Sequence, residues 1–359
     1  MSTTFHSLRV QSVQPEAQDA VVVSFDVPPE LRDEYGFEPG QHLTLRTAID
    51  GQDVRRSYSI CCAPDEGRLQ VGVRRVQGGV FSNWLADHAR PGLQIEVMPP
   101  QGRFFASVQP QQARHHLAVA GGSGITPILS IMKTVLAREP GSRFTLIYSN
   151  RSPASTMFKE DLEDLKNRYL SRVSLHYVFT QEHVESPLYA GRLDRARVAR
   201  FMQTVVDPSD IAQAYICGPF QMNDEAEAAL VAAGVPADRI HVERFGVAPA
   251  AGAVQARPVP QAGDARQARV VVVRDGLRRE IDFREGQAHL LGCASAAGLD
   301  MPYSCTSGVC GTCRARLVEG RVRMDRNFAL DKKEVEAGFI LTCQAVPLTD
   351  TVVISFDDR

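Results

Sequence analysis

Unbalanced charge is almost absent from this chain: 40 Lys and Arg against 42 Asp and Glu give a formal net charge of -2. That balance gives no reason to expect a nucleic acid or an anionic membrane surface as partner. No apolar run approaches the roughly 20 residues needed to cross a bilayer. The opening stretch, Met1 to Gln11, lacks the apolar segment of an export leader, so a cytoplasmic protein with reduced thiols is expected. A disulfide framework is therefore not the expected use of its eight cysteines. Missing also are paired Glu-x-x-His motifs or another His and carboxylate set spaced for oxygen activation, so any oxygen chemistry belongs to a partner.

What is present is most informative near the C-terminus. Cys305, Cys310 and Cys313 are followed by Cys343, a Cys-x4-Cys-x2-Cys group closed by a distant fourth thiol. This is the plant-type [2Fe–2S] spacing. Zinc is the alternative, although its sites more often show two Cys-x2-Cys knuckles than this asymmetry. Residues Thr306 to Thr312 are small or short, and Gly308 and Gly311 let backbone N–H groups approach sulfur. Cys61, Cys62 and Cys293 read as small buried hydrophobes.

A length of 359 residues predicts two or three domains. Residues 1–110 alternate apolar and polar side chains in six short segments with one helix near Phe81–His88, which predicts an antiparallel β-barrel. Residues 111–246 alternate strands with helices, which predicts a parallel sheet covered on both faces. Twelve of the 21 residues from 247 to 267 are Ala, Pro or Gly, so this stretch is expected to be a linker. Residues 268–359 form a compact mixed α+β segment around the cysteines.

Four further motifs carry chemistry. Arg56-Ser57-Tyr58-Ser59 lies on a barrel strand, where arginine suits a pyrophosphate, tyrosine a flat ring system and serine a ring nitrogen. Gly78-Gly79-Val80-Phe81-Ser82 opens the short helix, whose free N–H groups attract phosphate. Gly121-Gly122-Ser123-Gly124-Ile125-Thr126-Pro127 sits between a strand and a helix, the context of a phosphate-cradling turn. Cys217-Gly218-Pro219 closes a later strand, at the end that faces a ligand crevice in such sheets. Arg151, after the second strand of this region, suits a 2′-phosphate where an acid would suit a ribose hydroxyl. An ordinary exposed strand, glycine turns and a solvated arginine remain the bland readings of these pieces taken singly.

In this order the motifs resemble the ferredoxin–NADP reductase family, and a plant-type ferredoxin behind them resembles its oxygenase reductases. Thr4–Leu8, Pro39–Leu45 and Glu243-Arg244-Phe245 carry likeness to one branch of it. The resemblance implies a barrel that binds FAD, an α/β domain that binds NADPH and a β-grasp-like ferredoxin domain. It implies that Arg56, Ser57, Tyr58 and Ser59 hold FAD, with Gly78, Gly79, Val80 and Ser82 at its pyrophosphate. Gly122, Gly124 and Thr126 would lie along NADPH, with Arg151 and Ser152 at its 2′-phosphate. Cys217 and Gly218 would frame the nicotinamide and Phe245 would cover the flavin; Ser59, Thr126 and Cys217 are the catalytic candidates. The implied partner is an oxygenase component that accepts electrons. Five arginines, Arg314, Arg316, Arg321, Arg323 and Arg326, follow the cysteine loop against only Glu319 and Asp325. Arg314 and Arg316 share one face of an expected strand, which is either a basic docking surface or a solvated strand face. A reductase for another aromatic-ring hydroxylase or dioxygenase, or an iron–sulfur redox sensor, are the alternative functions.

Overall fold

The computed structural model describes residues 4–245, 258–286 and 288–358. The first part of the chain builds a six-stranded antiparallel sheet from β1 (His6–Glu16), β2 (Ala20–Asp26), β3 (His42–Ile49), β4 (Gln52–Ser59), β5 (Leu69–Arg74) and β6 (Gln94–Gln101). The spatial order is β4-β3-β6-β1-β2-β5. A bridge from Ile60, just past β4, to Val71 on β5 brings the two edges together and curls the sheet into a barrel. Alternation explains the interior: Leu8 and Val10 on β1, Leu43 and Leu45 on β3, and Val71 and Val73 on β5 are all buried in one cluster. Helix α1 (Val80–His88) plugs one end with Phe81 and Leu85.

The second sheet is wholly parallel. Its strands are β7 (His115–Gly121), β8 (Arg143–Asn150), β9 (Val173–Phe179), β10 (Ile211–Gly218) and β11 (Ile240–Arg244), in the order β11-β10-β7-β8-β9. Helices α2 (Ile125–Arg138), α3 (Lys159–Arg168), α4 (Arg195–Thr204) and α5 (Phe220–Ala232) make the crossovers. Asp194 caps α4 by accepting from the Arg197 N–H at 2.9 Å. Helix α2 has almost no polar face because it is covered twice. It packs under the parallel sheet and against barrel residues Ala20, Val22, Cys61 and Phe104 in one core, and Ser130 donates to the Cys62 carbonyl at 2.6 Å.

The C-terminal unit carries β12 (Gln267–Arg274), β13 (Leu277–Arg284), α6 (Leu290–Ala296), β14 (Arg314–Glu319), β15 (Val322–Met324), α7 (Lys332–Glu336), β16 (Phe339–Leu341), β17 (Ala345–Pro347) and β18 (Thr351–Ser355). Its main sheet runs β13-β12-β18-β14-β16, with β12 and β18 parallel, and β15 pairs with β17 apart from it. Cys293 is buried here, as Cys61 and Cys62 are in the first unit. Of the stretch expected as linker, residues 247–257 lie outside the described residues. Further on, Asp264 takes Arg323 in an ion pair of 2.6 Å and Ala265 is buried in the C-terminal core. No described helix is long and apolar enough to cross a membrane.

Candidate functional site

Strand order sets the nucleotide crevice. From β7 the chain moves to β8 on one side, while β10 lies on the other, so the loops after β7 and β10 flank the switch point of the sheet. The loop after β7 is Gly122–Gly124, one turn that runs into α2, and β10 ends at Gly218, with Pro219 alone leading into α5. The two loops interlock. A Cβ added at Gly124 would run into the Cys217 carbonyl and stand 2.8 Å from the Gly218 nitrogen. One added at Gly121 would stand 2.7 Å from Pro219 and 2.8 Å from the Met222 sulfur. Part of the glycine content thus serves loop packing, and Met222, 9% exposed, belongs to that packing. Thr126 is buried in the first turn of α2 and donates to the Ser123 carbonyl at 3.0 Å.

A carboxyl that sequence reasoning gave no role sits at the centre. In-register parallel pairing of β10 with β11 puts Glu243 beside Cys217. Ser59, at the end of β4, donates to Glu243 Oε2 at 3.4 Å, and the Cys217 sulfur lies 4.0 Å from the same oxygen. Part of Glu243 still faces the crevice, yet protein surrounds its carboxyl, and burial pushes it up to about 8. Burial likewise pushes the Cys217 thiol well up. At neutral pH this corner therefore holds a protonated acid, a hydroxyl and a thiol, without a formal charge. Such a corner suits a neutral ring of a nicotinamide or flavin and has no nucleophile ready to attack it. Ser59 and Cys217 are brought together here, whereas Thr126 is not among the groups that meet at Glu243. Phe245 follows directly and packs half-buried on the core shared by barrel and parallel sheet.

On β4, strand alternation places Arg56 and Tyr58 on one face, with Ser57 and Ser59 on the other. The Tyr58 ring lies 5.9 Å from that of Phe81 on α1. Gly78, Gly79 and Val80 lead into α1, whose first N–H groups have no side-chain cap. Ser82, on the first turn of that helix, accepts from the Val76 N–H at 3.2 Å and keeps its own hydroxyl proton available. This strand and helix end fit an FAD: a flat face, a guanidinium and a helix N-terminus for the pyrophosphate.

Arg151 follows β8 with its side chain 57% exposed, paired with Asp19 at 2.8 Å. Ser152 opens the next loop, where its carbonyl accepts from the Ser155 hydroxyl at 2.9 Å and the Thr156 hydroxyl at 3.0 Å.

The four cysteines of the C-terminal unit gather close enough to perturb one another, Cys310 feeling Cys305 and Cys313, and Cys343 feeling all three others. Cys305 interacts with Cys310, and Cys313 with Cys343. The Cys310 hydrogen bond, with the N–H groups of Ser307, Val309 and Cys310, draws the Cys305 thiol down, and Cys305 in turn pushes Cys310 up. No three described His, Cys, Asp or Glu side chains surround a single ion position. Four thiols with the Cys-x4-Cys-x2-Cys spacing and a distant fourth match the donor set of a plant-type two-iron cluster. Thr342, next to Cys343, ties that segment to Cys313 by donating N–H and hydroxyl to the Cys313 carbonyl at 3.2 and 3.0 Å. Gln344 donates to the Thr306 carbonyl at 2.9 Å and to the Cys343 sulfur at 3.7 Å. Gly308 and Gly311 both have positive φ, +81° and +69°, where the loop wraps the sulfurs.

Three family models match the chain in succession. They are an oxidoreductase FAD-binding domain over residues 7–105, an oxidoreductase NAD-binding domain over 118–228 and a 2Fe-2S iron-sulfur cluster binding domain over 272–348. Together with the site they make the protein an NAD(P)H-dependent flavin iron–sulfur oxidoreductase. The E component of 1,2-phenylacetyl-CoA epoxidase from Escherichia coli (strain K12) is 43% identical over 99% of both chains. The ferredoxin reductase component of 3-ketosteroid-9-alpha-monooxygenase from Rhodococcus rhodochrous is 35% identical over 97% of this chain and 96% of its own. The solved structure of phthalate dioxygenase reductase overlays with a TM-score of 0.58 at 25% identity, covering 98% of each chain. The chain belongs to the family of reductase components that pass electrons to oxygenases.

Proposed function

We propose that this chain takes electrons from NADPH in preference to NADH and delivers them to a phenylacetyl-CoA epoxidase. The 43% identity to the E component of that system over 99% of both chains carries the choice of partner. Bound FAD supplies the conversion between two-electron nicotinamide chemistry and one-electron iron–sulfur chemistry. The chain's own residues position and insulate. Arg56, Ser57 and Tyr58 hold the flavin with Gly78, Gly79, Val80 and Ser82 at its pyrophosphate, and Phe245 covers it. Gly122, Gly124 and Thr126 line the NADPH track, and Arg151 with Ser152 receives the 2′-phosphate. Cys217 and Gly218 back the nicotinamide. Ser59 presents its hydroxyl to the reacting rings, with the Glu243 carboxyl, whose Oε2 accepts from it, held protonated beside it. Cys305, Cys310, Cys313 and Cys343 hold the cluster.

The test is reconstitution. Purified oxygenase components of a phenylacetyl-CoA epoxidase and of a 3-ketosteroid 9α-monooxygenase are each supplied with this protein and NADPH. Substrate-dependent turnover with the epoxidase at a rate at least tenfold above the other supports the assignment. Equal or inverted rates reject it.

A further inference from the structure

The loop that carries Arg151 and Ser152 is held by the barrel. The Gln18 N–H, in the β1–β2 turn, donates to the Ala154 carbonyl at 3.1 Å, and the Phe158 N–H donates to the Glu16 carboxylate at 2.7 Å. Ala17 in the turn and Phe158 in the loop both have left-handed backbone, φ +52° and +55°. Such residues are costly by about 1 kcal/mol each and persist only where the surrounding contacts fix them. The two elements therefore meet in a defined way.

At their meeting point lies Asp19. One of its oxygens takes Arg151 Nη2 at 2.8 Å, and the other stands 3.1 Å from Arg74 Nε. Arg74, on β5, also donates to the Ser155 carbonyl, and its guanidinium reaches the glycine turn: a Cβ on Gly122 would lie 3.0 Å from Nη1. A single carboxylate thus sits between two guanidiniums at the mouth of the nucleotide track. Its fit is poor. Asp19 Oδ1 and Arg74 Nε are buried and close, yet neither makes a hydrogen bond within the described residues, so charge alone holds them. A phosphate dianion, with three acceptor oxygens, would satisfy both guanidiniums better.

We propose that Asp19 stands in for the NADPH 2′-phosphate in the nucleotide-free protein, and that NADPH binds by displacing it from Arg151 and Arg74. Asp19 is then a specificity-determining residue: it keeps the two arginines aligned and makes the empty site unattractive to weaker anions. The proposal rests on the reading of Arg151 as the 2′-phosphate contact.

The test uses the full-length holoprotein and two probes, adenosine 2′,5′-bisphosphate and AMP. Asp19→Asn removes the competing charge and keeps the shape. One partly exposed and one half-buried ion pair are lost, so the bisphosphate should bind about three- to tenfold more tightly. The NADPH KM should fall by a similar factor while kcat, AMP binding and the NADH KM stay unchanged. Asp19→Glu should restore wild-type behaviour. Unchanged or weaker bisphosphate binding in Asp19→Asn overturns the proposal, and so does a raised NADH KM, which would make Asp19 a reader of the ribose hydroxyls. Arg151→Ala separates the two levels. It should raise the NADPH KM about tenfold or more and leave NADH alone, and it should abolish the gain from Asp19→Asn. Equal effects on both nucleotides would instead defeat the 2′-phosphate site itself, whatever Asp19 does.

Discussion

Replacing Gly124 by alanine is the sharpest probe of the interlocked loops. The added Cβ meets backbone, namely the Cys217 carbonyl and, at 2.8 Å, the Gly218 nitrogen. Ordinary carbon contacts need about 3.5 Å or more, so the two loops must part by about 1 Å. Neither loop can yield by turning a side chain. The strain should cost about 1–3 kcal/mol of stability. The larger effect is on function, because a displacement of about 1 Å at a reacting centre can cost on the order of a hundredfold in rate. Gly122→Ala is the control. Its φ of +55° makes alanine unfavourable by roughly 1 kcal/mol, but the nearest atom is the tip of Arg74 at 3.0 Å, a side-chain end that need move only a few tenths of an ångström where Gly124 meets backbone. Stopped-flow flavin reduction by NADPH, with flavin and cluster bands as a check of content, reads both. Gly124→Ala should be slowed far more than Gly122→Ala at saturating NADPH. Flavin reduction within twofold of wild type in Gly124→Ala would refute the idea that this interlock positions the nicotinamide.

Cys310→Ser should lose the visible iron–sulfur bands and electron output while NADPH still reduces the flavin; a normal cluster in that variant would sink the four-cysteine assignment. Glu243, pushed up to about 8, should give flavin reduction an inflection near that pH, because the proton beside Ser59 is lost above it, and Glu243→Gln should flatten the profile; an inflection that survives in the glutamine variant points to another group. His42 and His116 are both held down to about 4 by burial. Their contribution to stability is complete above the unfolded value of 6.5 and is lost as pH falls toward 4, by up to about 1.4 kcal/mol per pH unit for each. Urea midpoints followed by the fluorescence of Trp84, the one tryptophan, should drop between pH 7 and pH 5, and His42→Phe should shrink the drop; equal midpoints would count against the buried neutral histidines.

Local patterns carried much of the reading. The cysteine spacing, the Arg-Ser-Tyr-Ser strand and the glycine turns are short-range signals, and the alternation of apolar residues separated the barrel from the parallel sheet. Groups that depend on long-range pairing left no such mark. Glu243 becomes a neighbour of Cys217 only through the register of β10 with β11, and of Ser59 only through a contact 184 residues apart in sequence. Asp19 and Arg151 lie 132 residues apart. Charge was also easier to count than to place. Arg314 looked like part of a basic face, yet it pairs with Glu334 at 3.1 Å and lies 3.5 Å from the Phe339 ring centre. Arg323 is taken by Asp264 and Asp325. Arg316 stays exposed on β14, so the surface offered to a partner is less basic than the arginine count implied.

The position of β18 bears on how the iron–sulfur unit is made. This strand lies in the middle of its sheet, parallel to β12 and antiparallel to β14, although all four cysteines precede it in the chain. In chain order the thiols come before the strand that completes the sheet. Pairing β12 with β18 also spans a long loop, the kind of contact that forms slowly. Closure of this sheet therefore has to wait for a strand that follows every cysteine in the chain.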